Sequence, residues 1–294
     1  MELKGLGVAM VTPFKVDLSI DFKALEKLTN DLIEGGVDFL VVLGTTGEAP
    51  TLSSEEKENV LNKVLEFNSN RVPVVYGMGG NNTAALCEEL KKFKTKGVSA
   101  FLSASPSYNK PTQEGIYRHY VALGEVSPLP IILYNVPGRT GSNVEADTCI
   151  RIANDVDKVV AVKEASGDLD QIIEIINRAP VGFDVYSGDD SVTVPVIEAG
   201  GKGVISVLGN ALPELCSQIV NTALSESFKE ANVLDLEAQR FLPLLFREGN
   251  PAGIKCMQNI LTDFSDVVRL PLVSASSELR EDMILAVSEM SEMV

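Results

Sequence analysis

The chain has 294 residues, 45% of them hydrophobic and 22% charged, with 23 glycines and 14 prolines, which is too apolar for a disordered chain and too mixed for a fibre. Its 41 acidic against 25 basic residues give a net charge of −16, which repels phosphate backbones and anionic lipid and so excludes nucleic acid and membrane surfaces as partners. No apolar run approaches the roughly 18 residues of a membrane span. The opening MELKGLGVAMVTPF has no basic region or cleavage site of a secretory signal, so the expected location is the cytoplasm.

The first apolar, β-branched run is GVAMVTPF from Gly7. Helical spacing follows in DFKALEKLTNDLIEGG, with Asp21 as N-cap and Gly35 or Gly36 as C-cap. DFLVVLGTTGE from Asp38 is the second strand, and Ser53 with Glu56 makes a capping box at the start of SSEEKENVLNKVLEF. VPVVYGMGG from Val72, the helix NTAALCEELKKFKTKG, SAFLSASPSYN from Ser99, the helix EGIYRHYVALG and LPIILYNVPGRTG from Leu129 continue the alternation. KVVAVKEASG from Lys158, the helix GDLDQIIEIINRAP, DVYSGDD from Asp184 and GKGVISVLGN from Gly201 complete it. These runs are nearly continuous in hydrophobicity, as in strands buried on both faces of a parallel sheet.

Eight units of about 20–35 residues match an α/β (β/α)8 TIM barrel, whose usual size is roughly 250 residues. A doubly wound sheet would show a glycine fingerprint after its first strand, where this chain has MVTPFKVD. Beyond Asn210 the strand signals stop: LPELCSQIVNTALSES closes the eighth unit, and SFKEANVLDLEAQRFLPLLFREG, NPAGIKCMQNILTDF and SSELREDMILAVSEMSEM read as helices. The expected division is a catalytic barrel over residues 1–225 and a C-terminal helical appendage over 226–294.

Active sites of such barrels lie at the C-terminal strand ends. Lys163 follows Val159, Val160, Ala161 and Val162, and burial there favours the neutral, nucleophilic amine needed for a Schiff base. Its alternative is to pair with Glu164 or to reach the rim. Gly44-Thr45-Thr46-Gly47-Glu48 offers hydroxyls and amides for a carboxylate, or is simply a strand-to-helix loop. Tyr134 ends the fifth strand, and Arg139 stands in a loop stiffened by Pro137 and Gly138, either gripping a carboxylate or lying on the surface. Tyr108, near two prolines, suits packing or an interface. Gly188 to Asp190 and Ile205 to Asn210 end the last two strands, and Asp189 and Asp190 argue against a phosphate site there. The only histidine, His119, falls on an outer helix, which removes Ser-His, Cys-His and His-rich metal schemes. Cys87, Cys149, Cys216 and Cys256 are scattered and expected to be free thiols. No metal or organic cofactor is expected.

The ordered set GTTGE (44–48), SYNKP (107–111), YNVPGRTG (134–141), VKEASGD (162–168), YSGDD (186–190) and GVISVLGN (203–210), with RLPLVSASSE near the C-terminus, resembles the pyruvate-dependent class I aldolase family. Within it the motifs look like the dihydrodipicolinate synthase branch, because sugar-acid relatives typically have GSTGE and lack the arginine of the R-T-G loop. The resemblance implies that Lys163 forms an imine with pyruvate and that the derived enamine attacks L-aspartate-4-semialdehyde, a step of lysine and diaminopimelate biosynthesis. It further implies that Tyr134, Thr45 and Tyr108 relay protons, with Tyr108 reaching across from a neighbouring subunit. Thr46 would bind the pyruvate carboxylate and Arg139 that of the semialdehyde, while Gly188 and Ile205 would contribute backbone groups. It implies a homotetramer built as a dimer of dimers. Ser54, Lys57, Ala85 and Ser107 replace groups of the lysine-feedback site, although Asn81 is retained, so weak or absent inhibition by L-lysine is expected. A sugar-acid aldolase and a non-catalytic binding module are the competing readings.

Overall fold

The computed structural model describes residues 3–291. Strands β1 (Gly5–Ala9), β2 (Phe39–Val42), β3 (Val74–Gly79), β4 (Ala100–Ala104), β5 (Ile131–Asn135), β6 (Val159–Glu164), β7 (Asp184–Ser187) and β8 (Gly203–Ser206) pair in parallel in chain order. β8 pairs with β1, so the barrel is closed as the spacing predicts. Alternate side chains point to opposite faces of each strand. Phe39, Val41, Val75, Leu102, Ile132 and Ala161 fill the interior, while Leu40, Val42, Val74, Phe101, Leu133 and Val162 pack outward. Both faces are dry, which is why the runs do not alternate in polarity. At β1 the interior is too crowded for a side chain beside Phe39: a Cβ on Gly7 would lie 2.2 Å from that ring.

The outer ring consists of α1 (Phe22–Glu34), α2 (Ser54–Asn68), α3 (Thr83–Lys92), α4 (Gln113–Val126), a short α5 (Pro137–Thr140), α6 (Ala146–Asp155), α7 (Leu169–Arg178), α8 (Thr193–Glu198) and α9 (Pro213–Leu224). Asp21 caps α1 by accepting from the N–H groups of Lys23 and Ala24, and the Ser53/Glu56 capping box opens α2. Helix α3 ends earlier than its run of helix formers. Phe93 leaves the helix to pack against Tyr76 and Phe101, at ring-centroid distances of 5.0 and 4.9 Å.

Four helices follow, α10 (Phe228–Gln239), α11 (Leu242–Arg247), α12 (Ala252–Leu261) and α13 (Ser277–Ser291). The stretch expected as one helix from Ser227 is broken between α10 and α11. Pro243 has no N–H to give the carbonyl of Gln239, and Phe241 is buried at the break. Ala231, Ala238, Phe241, Leu245, Met257 and Leu279 belong to the same apolar cluster as the outer face of the barrel. Among the described residues all four cysteines are free, and no helix is long and apolar enough to cross a membrane.

His119 is buried on α4, with Nδ1 2.8 Å from Thr83 Oγ1 and its ring edge-on to Tyr120. Nε2 has no partner among the described residues, and burial pulls the pKa down to about 4. Above pH 6.5 the ring is neutral whether the chain is folded or not. As pH falls from 6.5 toward 4 only the unfolded chain binds the proton, so folded stability is lost across that window. At about 1.4 kcal/mol per unit the loss reaches roughly 3 kcal/mol. His119→Gln is expected to flatten this part of the stability-versus-pH curve, measured by urea unfolding at fixed protein concentration.

Candidate active site

The barrel's register brings the central pair together. Tyr134 on β5 lies opposite Lys163 on β6, so both side chains face the interior, and the Lys163 amine sits 4.5 Å from the centroid of the Tyr134 ring. Lys163 is only 4% exposed. Burial pulls its pKa down to about 8, Arg139 adds to the depression, and the carboxylates of Asp190 and Asp189 oppose it. The amine has room because position 188 is glycine: a Cβ there would stand 3.0 Å from Lys163 Cε and 2.7 Å from Ala165 Cβ. Burial pushes the Tyr134 phenol upward, against the pull of Arg139 and of a hydrogen bond with Thr45. Glu164, next along β6, faces away from Lys163, and no ion pair joins them among the described residues.

The GTTGE turn is tight and leaves two of its amides without a hydrogen bond among the described residues. It is closed by bonds from Gly47 N–H to the Gly44 carbonyl (3.1 Å) and from Glu48 N–H to the Thr45 carbonyl (3.0 Å). Thr12 Oγ1 donates to the Gly47 carbonyl at 2.7 Å. Among the described residues no hydrogen bond occupies the N–H groups of Thr45 and Thr46. The turn lies so close to β3 that a Cβ on Gly77 would be 2.5 Å from the Leu43 carbonyl oxygen. Asn250 Nδ2 donates to Thr46 Oγ1 at 2.9 Å, which leaves that hydroxyl's proton available to a ligand.

Arg139 rides on α5, exposed and without an ion pair among the described residues. Its loop is held from behind by Glu164, a fully buried carboxylate that accepts from Asn135 Nδ2 (3.1 and 2.9 Å), Ser166 N–H (2.7 Å) and Gln171 Nε2 (3.0 Å). Asn135 Oδ1 in turn accepts from the N–H of Val144 at 2.9 Å. On the other side, Asp190 is buried and accepts from Ser206 Oγ and from the N–H groups of Val207 (2.9 Å) and Leu208 (3.2 Å). It thereby fixes the turn after β8.

Thr45, Thr46, Tyr134, Arg139, Lys163 and Gly188 line one cavity of about 350 Å³. Ile205 does not line it; its side chain is fully buried in the barrel core. Tyr108 lies outside as well, 91% exposed, at a φ of +68°, with its N–H on the Thr140 carbonyl. The cavity also takes Asn250 and Phe246 from beyond the last strand. Motif reading misses both, because the strand-end rule does not reach that far. Among the described residues no cluster of three His, Cys, Asp or Glu side chains could hold a metal. The arrangement therefore offers an amine poised near neutrality, a phenol beside it, free amides for one anion and a guanidinium for a second.

The chain matches the dihydrodipicolinate synthetase family over residues 2–290. It is 49% identical to a 4-hydroxy-tetrahydrodipicolinate synthase of Parabacteroides distasonis, over 93% of this chain and 92% of that one. A second relative of that name, from Flavobacterium psychrophilum, is 47% identical over 98% of each. The crystal structure of dihydrodipicolinate synthase from Thermotoga maritima superposes with a TM-score of 0.95 at 38% identity, covering 98% of each chain.

Lys163 is expected to titrate near pH 8, measurable by NMR of the protein labelled on lysine. Arg139→Ala should raise that midpoint, since it removes a neighbouring cation, and Asp189→Asn should lower it.

Proposed function

The chain belongs to the dihydrodipicolinate synthetase family, and from that premise we propose that it condenses pyruvate with L-aspartate-4-semialdehyde through an imine on Lys163. The observation that carries the reading is the buried Lys163 amine set against Tyr134, between the free amides of the GTTGE turn and the guanidinium of Arg139.

The pyruvate carboxylate is held by the Thr45 and Thr46 amides and the Thr46 hydroxyl, which brings the ketone carbon to Lys163. Neutral Lys163 adds to that carbon, and Tyr134 with Thr45 passes protons until water leaves and the imine forms. Loss of a methyl proton gives the enamine, with the imine nitrogen as electron sink. Its carbon attacks the aldehyde of the semialdehyde, whose carboxylate is bound by Arg139, and the aldehyde oxygen becomes a hydroxyl. The amine of that substrate then adds to the imine carbon, closes the ring and releases Lys163. One water is lost overall, and the product is 4-hydroxy-tetrahydrodipicolinate. Backbone groups of Gly188 border the reacting atoms in this scheme, while Ile205, outside the cavity lining, is left to the barrel core. Tyr108 completes the proton relay from a second subunit, which accounts for an exposed tyrosine whose own subunit gives its ring no place in the cavity. A homotetramer of tight dimers, residence in the cytoplasm and the division of the chain at residue 225 belong to the same proposal.

Borohydride added with pyruvate is expected to leave a reduced adduct on Lys163, located by peptide mass mapping, and none in Lys163→Ala. An adduct elsewhere overturns the reading. Charge-assisted hydrogen bonds contribute about 1.5–3 kcal/mol each, so Arg139→Ala should raise the semialdehyde KM on the order of 10–100-fold and leave the pyruvate KM nearly unchanged.

The side chain of Asn81 is already engaged on the backbone of Ser107, donating from Nδ2 to the carbonyl (2.6 Å) and accepting on Oδ1 from the N–H (2.8 Å). With Ala85 and Ser107 in place of larger polar groups, little remains there to hold a free amino acid. L-Lysine below millimolar concentration is expected to leave the steady-state rate above half, and half-inhibition in that range would overturn this.

A further inference from the structure

Among the described residues one ion pair is completely buried. Lys255 on α12 puts its Nζ 2.6 Å from Glu48 Oε1, with the two side chains 1% and 0% exposed. Lys255 also donates to the Val267 carbonyl (2.9 Å) and lies 4.3 Å from the centroid of the Phe14 ring. The second carboxylate oxygen of Glu48 accepts from the N–H of Arg269 at 2.9 Å. This pair joins residues 207 positions apart, and its acidic member is the last residue of the GTTGE turn.

Glu48 has a φ of +53°, a left-handed backbone that a side chain with a Cβ disfavours. The turn keeps that conformation with its carboxylate clamped by α12 and its carbonyl bound by Thr51 N–H (2.9 Å) and Thr51 Oγ1 (3.0 Å). Glu48 N–H donates to the Thr45 carbonyl, so the clamp acts directly on the peptide that presents the Thr46 amide, one peptide on from the Thr45 amide. The nearby tie from Asn250 to Thr46 runs from the same C-terminal helices to the same turn. A buried ion pair contributes little net stability compared with an apolar pair of the same size, so stability alone does not account for one at this position.

We propose that Glu48 and Lys255 are positioning residues for the oxo-acid: by fixing the left-handed residue that closes the GTTGE turn, they hold the Thr45 and Thr46 amides at the geometry that seats the pyruvate carboxylate. The C-terminal helices are thus part of the substrate site. The inference rests on the reading of that turn as the pyruvate site.

The test uses full-length Lys255→Met and the doubly neutral Glu48→Gln/Lys255→Met, with Lys27→Met, which breaks an exposed pair with Asp31, as control. Steady-state constants, thermal midpoints and borohydride trapping at saturating pyruvate are measured for each. Lys255→Met is expected to lose thermal stability, since it strands a buried carboxylate, and the double variant to recover it. In both, the pyruvate KM should rise about tenfold or more, the semialdehyde KM should change less than twofold, and the Lys163 adduct should still form. A double variant with the wild-type pyruvate KM overturns the inference, as does a common fall of every constant together with the thermal midpoint. A double variant that does not fold also overturns it, because the pair would then be structural. Wild-type protein that gives no adduct on Lys163 sinks the underlying reading instead.

Discussion

An ammonium set inside a barrel of packed side chains is unfavourable unless its charge is neutralised or the proton is given up. Lys163 is caught between these outcomes. Desolvation and the Arg139 cation pull its proton off, while Asp190 and Asp189 pull the other way, and the balance falls near pH 8. Neither carboxylate closes into an ion pair with it among the described residues. Asp190 is kept from doing so because both its oxygens are occupied by Ser206, Val207 and Leu208. Its charge reaches the amine through space, and its hydrogen bonds shape the turn after β8. Had it paired directly, the lysine would stay protonated and lose its lone pair.

The two-residue repeat of β6 divides the work between neighbours. Lys163 faces the cavity and Glu164 faces the helices, so one strand end carries both a cavity group and a scaffold group. Glu164 only accepts hydrogen bonds, and every polar neighbour it touches donates: Asn135, Ser166 and Gln171. Burial raises its pKa while these donors oppose the rise. Through Asn135 and Val144 it closes the base of the loop that carries Arg139. The glycine at 188 belongs to the same logic, since it keeps clear the volume that the lysine stem fills.

Most of this was legible in the residues. The eight dry runs, the Asp21 cap and the Ser53/Glu56 capping box marked the barrel, and six of the eight expected site residues meet in one cavity because each lies at a strand end. The rest depended on information that is not local. Asn250 comes to Thr46 only through the packing of α11 and α12 against the barrel, and no period in the sequence carries that approach. Phe93 sits in a run of good helix formers, yet contacts with Tyr76 and Phe101 outweigh propensity and end the helix. The break before α11 was missed although its signal is local: Pro243 stands in the run, and the apolar spacing that continues across it masks the stop. The Glu48–Lys255 contact was invisible for the same reason as Asn250, since nothing in the GTTGE motif or in the helix around Lys255 names the distant partner.

The net charge of −16 gives the short-range geometry its weight. Pyruvate, an anion, meets repulsion from an acidic body at long range, screened beyond a Debye length of about 10 Å at 0.1 M salt, whereas the semialdehyde, with one ammonium and one carboxylate, carries no net charge. Inside that distance the cavity offers oriented amides, the buried Thr46 hydroxyl and the exposed Arg139 guanidinium, and the groups kept from water make stronger contacts than they would in bulk solvent. Such contacts lose strength steeply with small errors of distance and angle. A strongly basic pocket could tolerate a loose loop, because charge attraction falls off slowly. In the proposed reading this one relies on a turn whose amides must be aimed, and that requirement gives a reason for the buried ion pair that its last residue, Glu48, makes with Lys255.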